Sequence, residues 1–361
     1  MKVISPLLKH VVYPGLSRSG YLRRSASGGP AVVTYHGILP SGYAVRDPAL
    51  DGHLVTAEAF AAQIRLLKSK YNVISPQEFL QWREGEVRLP PRAVLLTCDD
   101  GLLNTLTDIL PLVRDFDAPF LFFVTSGSLA EQSSILWYEQ LFLWMLEARE
   151  KVSFAAPWGA CNAQGQEQKR RLWREMIRRL SAFEAGARNQ ILEDMRTQLG
   201  ISEDFESEYS QNQAARRRFF MLNLAELREL VDAGMTIGAH TLSHPMLSQM
   251  PEDLALQEIW QSRAGLESAL GKPVWALAYP FGNAEAVSAR EPELAKLAGF
   301  RCAFMNVEDV TSNSSNDEAW LAFPRIHVSS TTTPAELEAH VSGFYRAVRE
   351  KYLHSDVGVG A

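Results

Sequence analysis

Two short runs constrain this chain more than anything else in it. Residues 93–98 (Ala-Val-Leu-Leu-Thr-Cys) and 119–125 (Pro-Phe-Leu-Phe-Phe-Val-Thr) are apolar almost without interruption. A strand with one wet face alternates apolar and polar residues. A strand covered on both faces does not, and that is the condition of a parallel sheet with helices packed against it. The surrounding sequence supplies those helices. A short apolar strand at 31–35 is followed by a helix over 56–70, with Phe60, Ile64 and Leu67 on one face. After a strand at 71–74, Ser75-Pro76-Gln77-Glu78 is a capping box with proline at the first helical position. Asn223-Leu224-Ala225-Glu226 caps a helix that Gly234 stops, and a strand at 235–239 follows. Then come a helix over 252–270 ended by Gly271, a strand at 274–278, a helix at 291–298, and strands at 300–304 and 325–329. Thr333-Pro334-Ala335-Glu336 opens a last helix. Strands and helices alternating in this number predict an α/β fold, a mainly parallel sheet curled into a complete or partial barrel.

One region breaks the rhythm. Residues 130–217 have helical character, carry Trp137, Tyr138, Phe142, Trp144, Trp158 and Trp173, and hold basic clusters at 169–171 and 216–218. They read as a helical insertion over one strand-to-helix connection. Residues 1–29 contain Lys2, Lys9, Arg18, Arg23 and Arg24 and no acid. Lys9, His10 and two prolines interrupt their apolar pieces, so no secretory core forms, and nothing approaches the roughly 20 apolar residues of a spanning helix. The expected organisation is a basic leader at 1–29, poorly ordered, a barrel over 30–353, and a tail at 354–361. A sharper reading gives the leader peripheral contact with an anionic membrane surface. Cys98, Cys161 and Cys302 are odd in number and far apart, which argues against a disulfide framework and for a reducing, cytoplasmic setting. A formal charge of −6 gives no case for nucleic acid.

The chemistry gathers where strands end. Asp99 and Asp100 directly follow the buried run 93–98 and precede Gly101. Two adjacent carboxylates there need a reason, because burying both ionised is costly without a cation. His240 and His244 close the strand at 235–239 in His-Thr-Leu-Ser-His-Pro, and a helical turn would aim both imidazoles at one point. Two histidines and a carboxylate with an open position make a catalytic zinc arrangement. His36 ends the first strand, and Ala278-Tyr279-Pro280-Phe281-Gly282 ends another. In parallel barrels that edge is where sites assemble.

Thr97-Cys98-Asp99-Asp100-Gly101 resembles the T-F-D-D-G motif of polysaccharide deacetylases (carbohydrate esterase family 4, the NodB-homology domain), and His240-Thr241-Leu242-Ser243-His244 matches its H-[ST]-x-x-H motif. The resemblance covers roughly residues 31–130 and 218–330. It implies a distorted or incomplete (β/α)7 barrel and removal of N-acetyl, or O-acetyl, groups from a carbohydrate. It also implies Asp99 as catalytic base and Asp100, His240 and His244 as metal ligands, with zinc as the first choice and cobalt or nickel able to satisfy the same set. The family's third motif, R-x-P-[YF]-G, appears as Ala278-Tyr279-Pro280-Phe281-Gly282, which passes the oxyanion role to the Phe281 N–H but lacks the arginine that supports the base. Arg325 is the expected substitute.

The Tyr-His strand resembles the branch that includes poly-N-acetylglucosamine deacetylases, and points to His36 as the acid. His327 is the rival, inside a strand-like run, and His53 a weaker candidate. Tyr279, Trp137 and Tyr138 are candidates for contact with sugar faces. Three other readings stay open: an amidohydrolase of a small imide or ureide, an inactive carbohydrate-binding relative, and a phosphoesterase.

Overall fold

The all-apolar strands are covered on both faces because successive residues serve two different cores. The computed structural model describes residues 6–25, 29–129, 134–148, 151–308 and 317–353. In β3 (Ala93–Cys98), Val94, Leu96 and Cys98 join the core shared with Phe60, Ile64 and Leu67 of the helix Ala57–Lys70. Ala93 and Leu95 join a second core, with residues of β1 (Ala31–Tyr35), β4 (Phe120–Val124), β8 (Ala276–Ala278) and β9 (Cys302–Phe304). With β7 (Thr236–Ala239) and β10 (Ile326–His327), these strands form one parallel sheet in the order β10-β1-β3-β4-β7-β8-β9, and β2 (Asn72–Ile74) pairs with β3 beside it. Residues 323–328 span the two margins: Arg325 N–H donates to Val307 O (3.1 Å) beyond β9, and Val328 N–H to Thr34 O (3.0 Å) in β1. The result is the expected distorted barrel. All three capping boxes, at Ser75, Asn223 and Thr333, form with both hydrogen bonds.

Register decides where the chemistry lies. Tyr35 pairs with Cys98, Cys98 with Phe122, Val124 with Ala239, Ala239 with Leu277 and Ala278 with Phe304, so neighbouring strands end close to one another. The residues that follow them share one edge.

Two expectations need correction. The insertion is not wholly helical, since β5 (Lys151–Ala156) and β6 (Gly159–Gln164) form an antiparallel hairpin. Val152, Phe154, Cys161 and Ala163 face the core while their neighbours face water, a short period-2 signal overshadowed by long helices on either side. The leader, in turn, is ordered where it is described: residues 8–25 are largely helical, and Tyr13 and Leu22 are buried against Ala339. Ser17 donates to Glu338, and Lys9 pairs with Glu336 at 2.9 Å. Its outer side leaves Leu7, Leu8, Val11 and Tyr21 exposed. No helix among the described residues is long and apolar enough to cross a membrane. The tail at 354–361 lies outside the described residues.

A buried ion network fastens the insertion to the barrel. Arg218, at the insertion's end, donates to Asp51 Oδ1 (2.8 Å) on the short helix Pro48–Asp51 in the connection after β1 and to Glu139 Oε1 (2.8 Å) on the insertion's first helix. Removing the guanidinium leaves two buried carboxylates without a cation. Arg218→Met should therefore destabilise the protein by about 3–5 kcal/mol, read as a lower midpoint of urea unfolding.

Candidate active site and metal centre

Asp99 and Asp100 lie side by side and are each 2% exposed. Asp100 adopts a left-handed backbone (φ 74), which breaks the strand's alternation and helps aim the two carboxylates at different partners. Gly101 follows at φ 78, where an added Cβ would meet Val124 at 2.9 Å, so this turn admits only glycine. Thr241 (φ 63), His244 (φ 56) and Phe281 (φ 60) are also left-handed. Such strain in non-glycine residues, repeated in three strand-end loops, is the kind that clusters at functional sites.

Asp100 faces two imidazoles. Its Oδ1 lies 3.4 Å from His240 Nε2 and 3.3 Å from His244 Nε2. One ligand atom from each of the three residues falls within 4.8 Å of the others, and all three side chains are buried. His240 Nδ1 lies 2.7 Å from the carbonyl of Ala278. A carbonyl only accepts, so Nδ1 carries a proton and Nε2 is turned to Asp100. The donor set, its spacing and this orienting bond fit a divalent ion. Burial opposes ionisation of Asp100, but hydrogen bonds from His240 and His244 hold it well below the usual carboxylate range. Burial likewise works against charge on His240, yet the Asp100 and Asp99 carboxylates win and raise its pKa. Burial, with His240 beside it, instead lowers His244 despite the Asp100 hydrogen bond.

Asp99 has a different partner. Arg325 is fully buried and donates from Nη1 to Oδ1 (2.7 Å) and from Nη2 to Oδ2 (2.5 Å). Its Nε donates to Met305 O (3.0 Å), which fixes the fork in place. Burial would raise the Asp99 carboxyl, but Arg325, with His240 and His36, brings it below its ordinary value. Asp99 thus receives a guanidinium from the residue that precedes β10.

Three histidines meet beside Asp99. His36 Nε2 is 3.9 Å from Asp99 Oδ2, and its ring centre lies 5.0 Å from that of His327 and 5.4 Å from that of His53. Burial, reinforced by His36, pushes His327 down to about 3. Burial, with Arg218, pushes His53 well below the usual imidazole value.

The insertion reaches this site. Tyr138 lies with its ring 5.0 Å from His244 and 5.5 Å from Phe281. Trp137 is 7% exposed, and its indole N–H donates to the carbonyls of Ser243 (3.1 Å) and His244 (3.3 Å), so it braces the histidine loop. Tyr279 is placed differently from expectation. It is 1% exposed and its hydroxyl donates to Leu321 O (2.8 Å), because a residue one step past the buried Ala278 still points into the core.

Sequence reasoning missed the support behind the histidine loop. Glu258, on the helix Glu252–Leu270, accepts from the Ser243 N–H (2.8 Å) and hydroxyl, and Arg188 donates to the same hydroxyl (2.6 Å). Neither residue sits in a motif. The only sequence signal for Glu258 is an acid amid a helix's apolar positions, which is too common to single it out. The three cysteines are buried and free.

The chain's residues 207–303 match the model of the family "Polysaccharide deacetylase", which takes in His240 and His244 but not Asp99 and Asp100. No curated protein matches it in sequence. Its fold is similar to that of the Streptococcus pyogenes deacetylase PplD in complex with acetate (16% identity, TM-score 0.54, 86% of this chain and 97% of that one). IcaB from Ammonifex degensii (18%, 0.53, 88% and 98%) and a de-N-acetylase from Aggregatibacter actinomycetemcomitans (14%, 0.52, 86% and 98%) share it too. Residues 207–303 are thus similar to the polysaccharide deacetylase family, and the chain as a whole shares the fold of these solved structures.

Proposed function

We propose that this protein is a metal-dependent deacetylase that hydrolyses N-acetyl groups of a carbohydrate or glycan precursor. The observation that carries the reading is the division of labour at the end of β3, where Asp100 joins two histidines and Asp99 is held ionised by Arg325. Asp100, His240 and His244 would hold the ion, zinc by preference and cobalt or nickel by the same donors. When bound, it would polarise the acetyl carbonyl and make water easier to deprotonate.

The chain's own residues supply the rest. Asp99, fixed by the Arg325 fork, takes a proton from the attacking water. The Phe281 N–H, presented by its left-handed backbone, donates to the oxygen on which charge develops. An amine leaves poorly as an anion, so a proton donor must stand at the scissile nitrogen. Burial opposes charge on His53 and His327. His36, 3.9 Å from Asp99, takes that role. Tyr138, over His244 and Phe281, forms a wall against which the acetyl group or sugar packs. The exposed Leu7, Leu8, Val11 and Tyr21 beside a leader without acids favour peripheral contact with an anionic membrane.

The test is metal analysis joined to an acetate-release screen over N-acetylated oligosaccharides, O-acetylated sugars and small imides. Stoichiometric metal with acetate released from an N-acetylated glycan is the expected result; turnover confined to the imides would sink the carbohydrate reading. Single changes of Asp100, His240 or His244 to Ala should abolish metal binding in isothermal titration while circular dichroism stays native.

Arg325→Gln should lower kcat by about 10–100-fold, as loss of an orienting partner does, with metal content unchanged. His36→Ala should lower kcat by roughly 10²–10⁴-fold at wild-type metal content, and His327→Ala much less. A dead His327→Ala enzyme beside an active His36→Ala enzyme would reverse that assignment.

A further inference from the structure

Among the described residues, Arg188, Arg218 and Arg325 are arginines no more than 1% exposed. Two of them have carboxylates in reach: Asp51 and Glu139 for Arg218, and Asp99 for Arg325. Arg188 has none. Its Nη2 donates to the hydroxyl (2.6 Å) and carbonyl (3.4 Å) of Ser243, and its guanidinium lies 4.9 Å from the centre of the Trp137 ring. Nε and Nη1 have no hydrogen-bond partner in the protein. The acids that act on it do so from a distance: Glu258 is reached through Ser243, and Glu184 caps the start of Arg188's own helix, Ala185–Gln198. Burial pushes this guanidinium down to about 10, which still leaves it charged at neutral pH. A buried cation without a carboxylate in direct contact is a costly arrangement that a protein rarely keeps unless something completes it.

Arg188 lines a cavity of about 620 Å³ between the insertion and the loop that carries His244. Asp99, Asp100 and the two metal-site histidines do not line it; Leu242 and Ser243 do. Trp137, Trp144 and Phe205 give it aromatic walls. The rim acids are engaged: Glu193 pairs with Arg196 at 2.5 Å, Glu203 lies 3.6 Å from the same guanidinium, and Glu206 accepts from Gln140 at 2.6 Å. The volume is that of a small-molecule site, well beyond what a lone phosphate or acetate fills.

We propose that this cavity is a second ligand site, which takes a sugar-sized molecule whose carboxylate or phosphate supplies the direct counter-charge that Arg188 lacks. The aromatic walls pack on the body of the ligand, and the free N–H groups of Arg188 bind the oxyanion. Because Ser243 and Trp137 also hold the His244 loop, the occupant sits against the back of the proposed catalytic site without entering it.

The test is thermal unfolding of the full chain with glucuronate, glucose 1-phosphate, inorganic phosphate or neutral glucose. The two sugar anions should raise Tm by at least about 2 °C at saturation, and glucose should not. Arg188→Gln should remove the effect. Should that variant not fold, Leu192→Glu sets a carboxylate one helical turn along, within i,i+4 reach of Arg188, and should likewise silence the response. A response to inorganic phosphate equal to that of the sugar anions overturns the sugar-sized ligand, since the cavity's walls would then contribute nothing. No response to any anion, equal stabilisation by glucose, or a response unchanged in Leu192→Glu overturns the proposal.

Discussion

Two neighbouring carboxylates, each 2% exposed, set the terms for everything at the open edge of this barrel. Side by side and ionised they repel each other, and burial removes the water that would otherwise stabilise them. The chain meets this by sending them to separate partners. Asp99 receives a guanidinium from the segment that closes the sheet, and Asp100 receives two imidazoles from the loop after β7. Each solution draws on a distant part of the sequence. The barrel must therefore be assembled before the pair can exist in this form, and the parallel register of β1, β3, β7 and β10 is what brings those parts to one edge.

The same economy of charge runs through the insertion. Arg218 ties its two ends to the connection after β1, while Trp137 and Arg188 reach Ser243 and His244 from the other side. The insertion is therefore more than a cover. It grips the loop that carries both histidines, and it lays Tyr138 across the site. A guanidinium is a good device for such work, because it cannot lose its proton and offers donors in several directions.

Much of the fold was legible because its signals are local. The apolar runs at 93–98 and 119–125, the three capping boxes and Gly271 each act within a few residues of their own position, and the elements they predict are present. The hairpin at 151–164 and the docked leader were less legible. The first is short, and the second gains its order from residues more than 300 positions away, such as Glu338. Sequence patterning cannot register a contact of that range.

For the candidate site, the sequence alone singled out residues at the strand ends: an acid pair after a buried strand, two histidines four apart after another, and Phe281 after a third. Those assignments rest on residue type and on position at strand ends, both written in one dimension. Tertiary structure decided their partners. It set the Arg325 fork on Asp99, turned Tyr279 into the core, gave the Trp137 indole to the histidine loop, and left Arg188 without a carboxylate. A side chain's direction and its counter-charge depend on register and on packing between segments far apart in the chain, and these exist only once the barrel has closed.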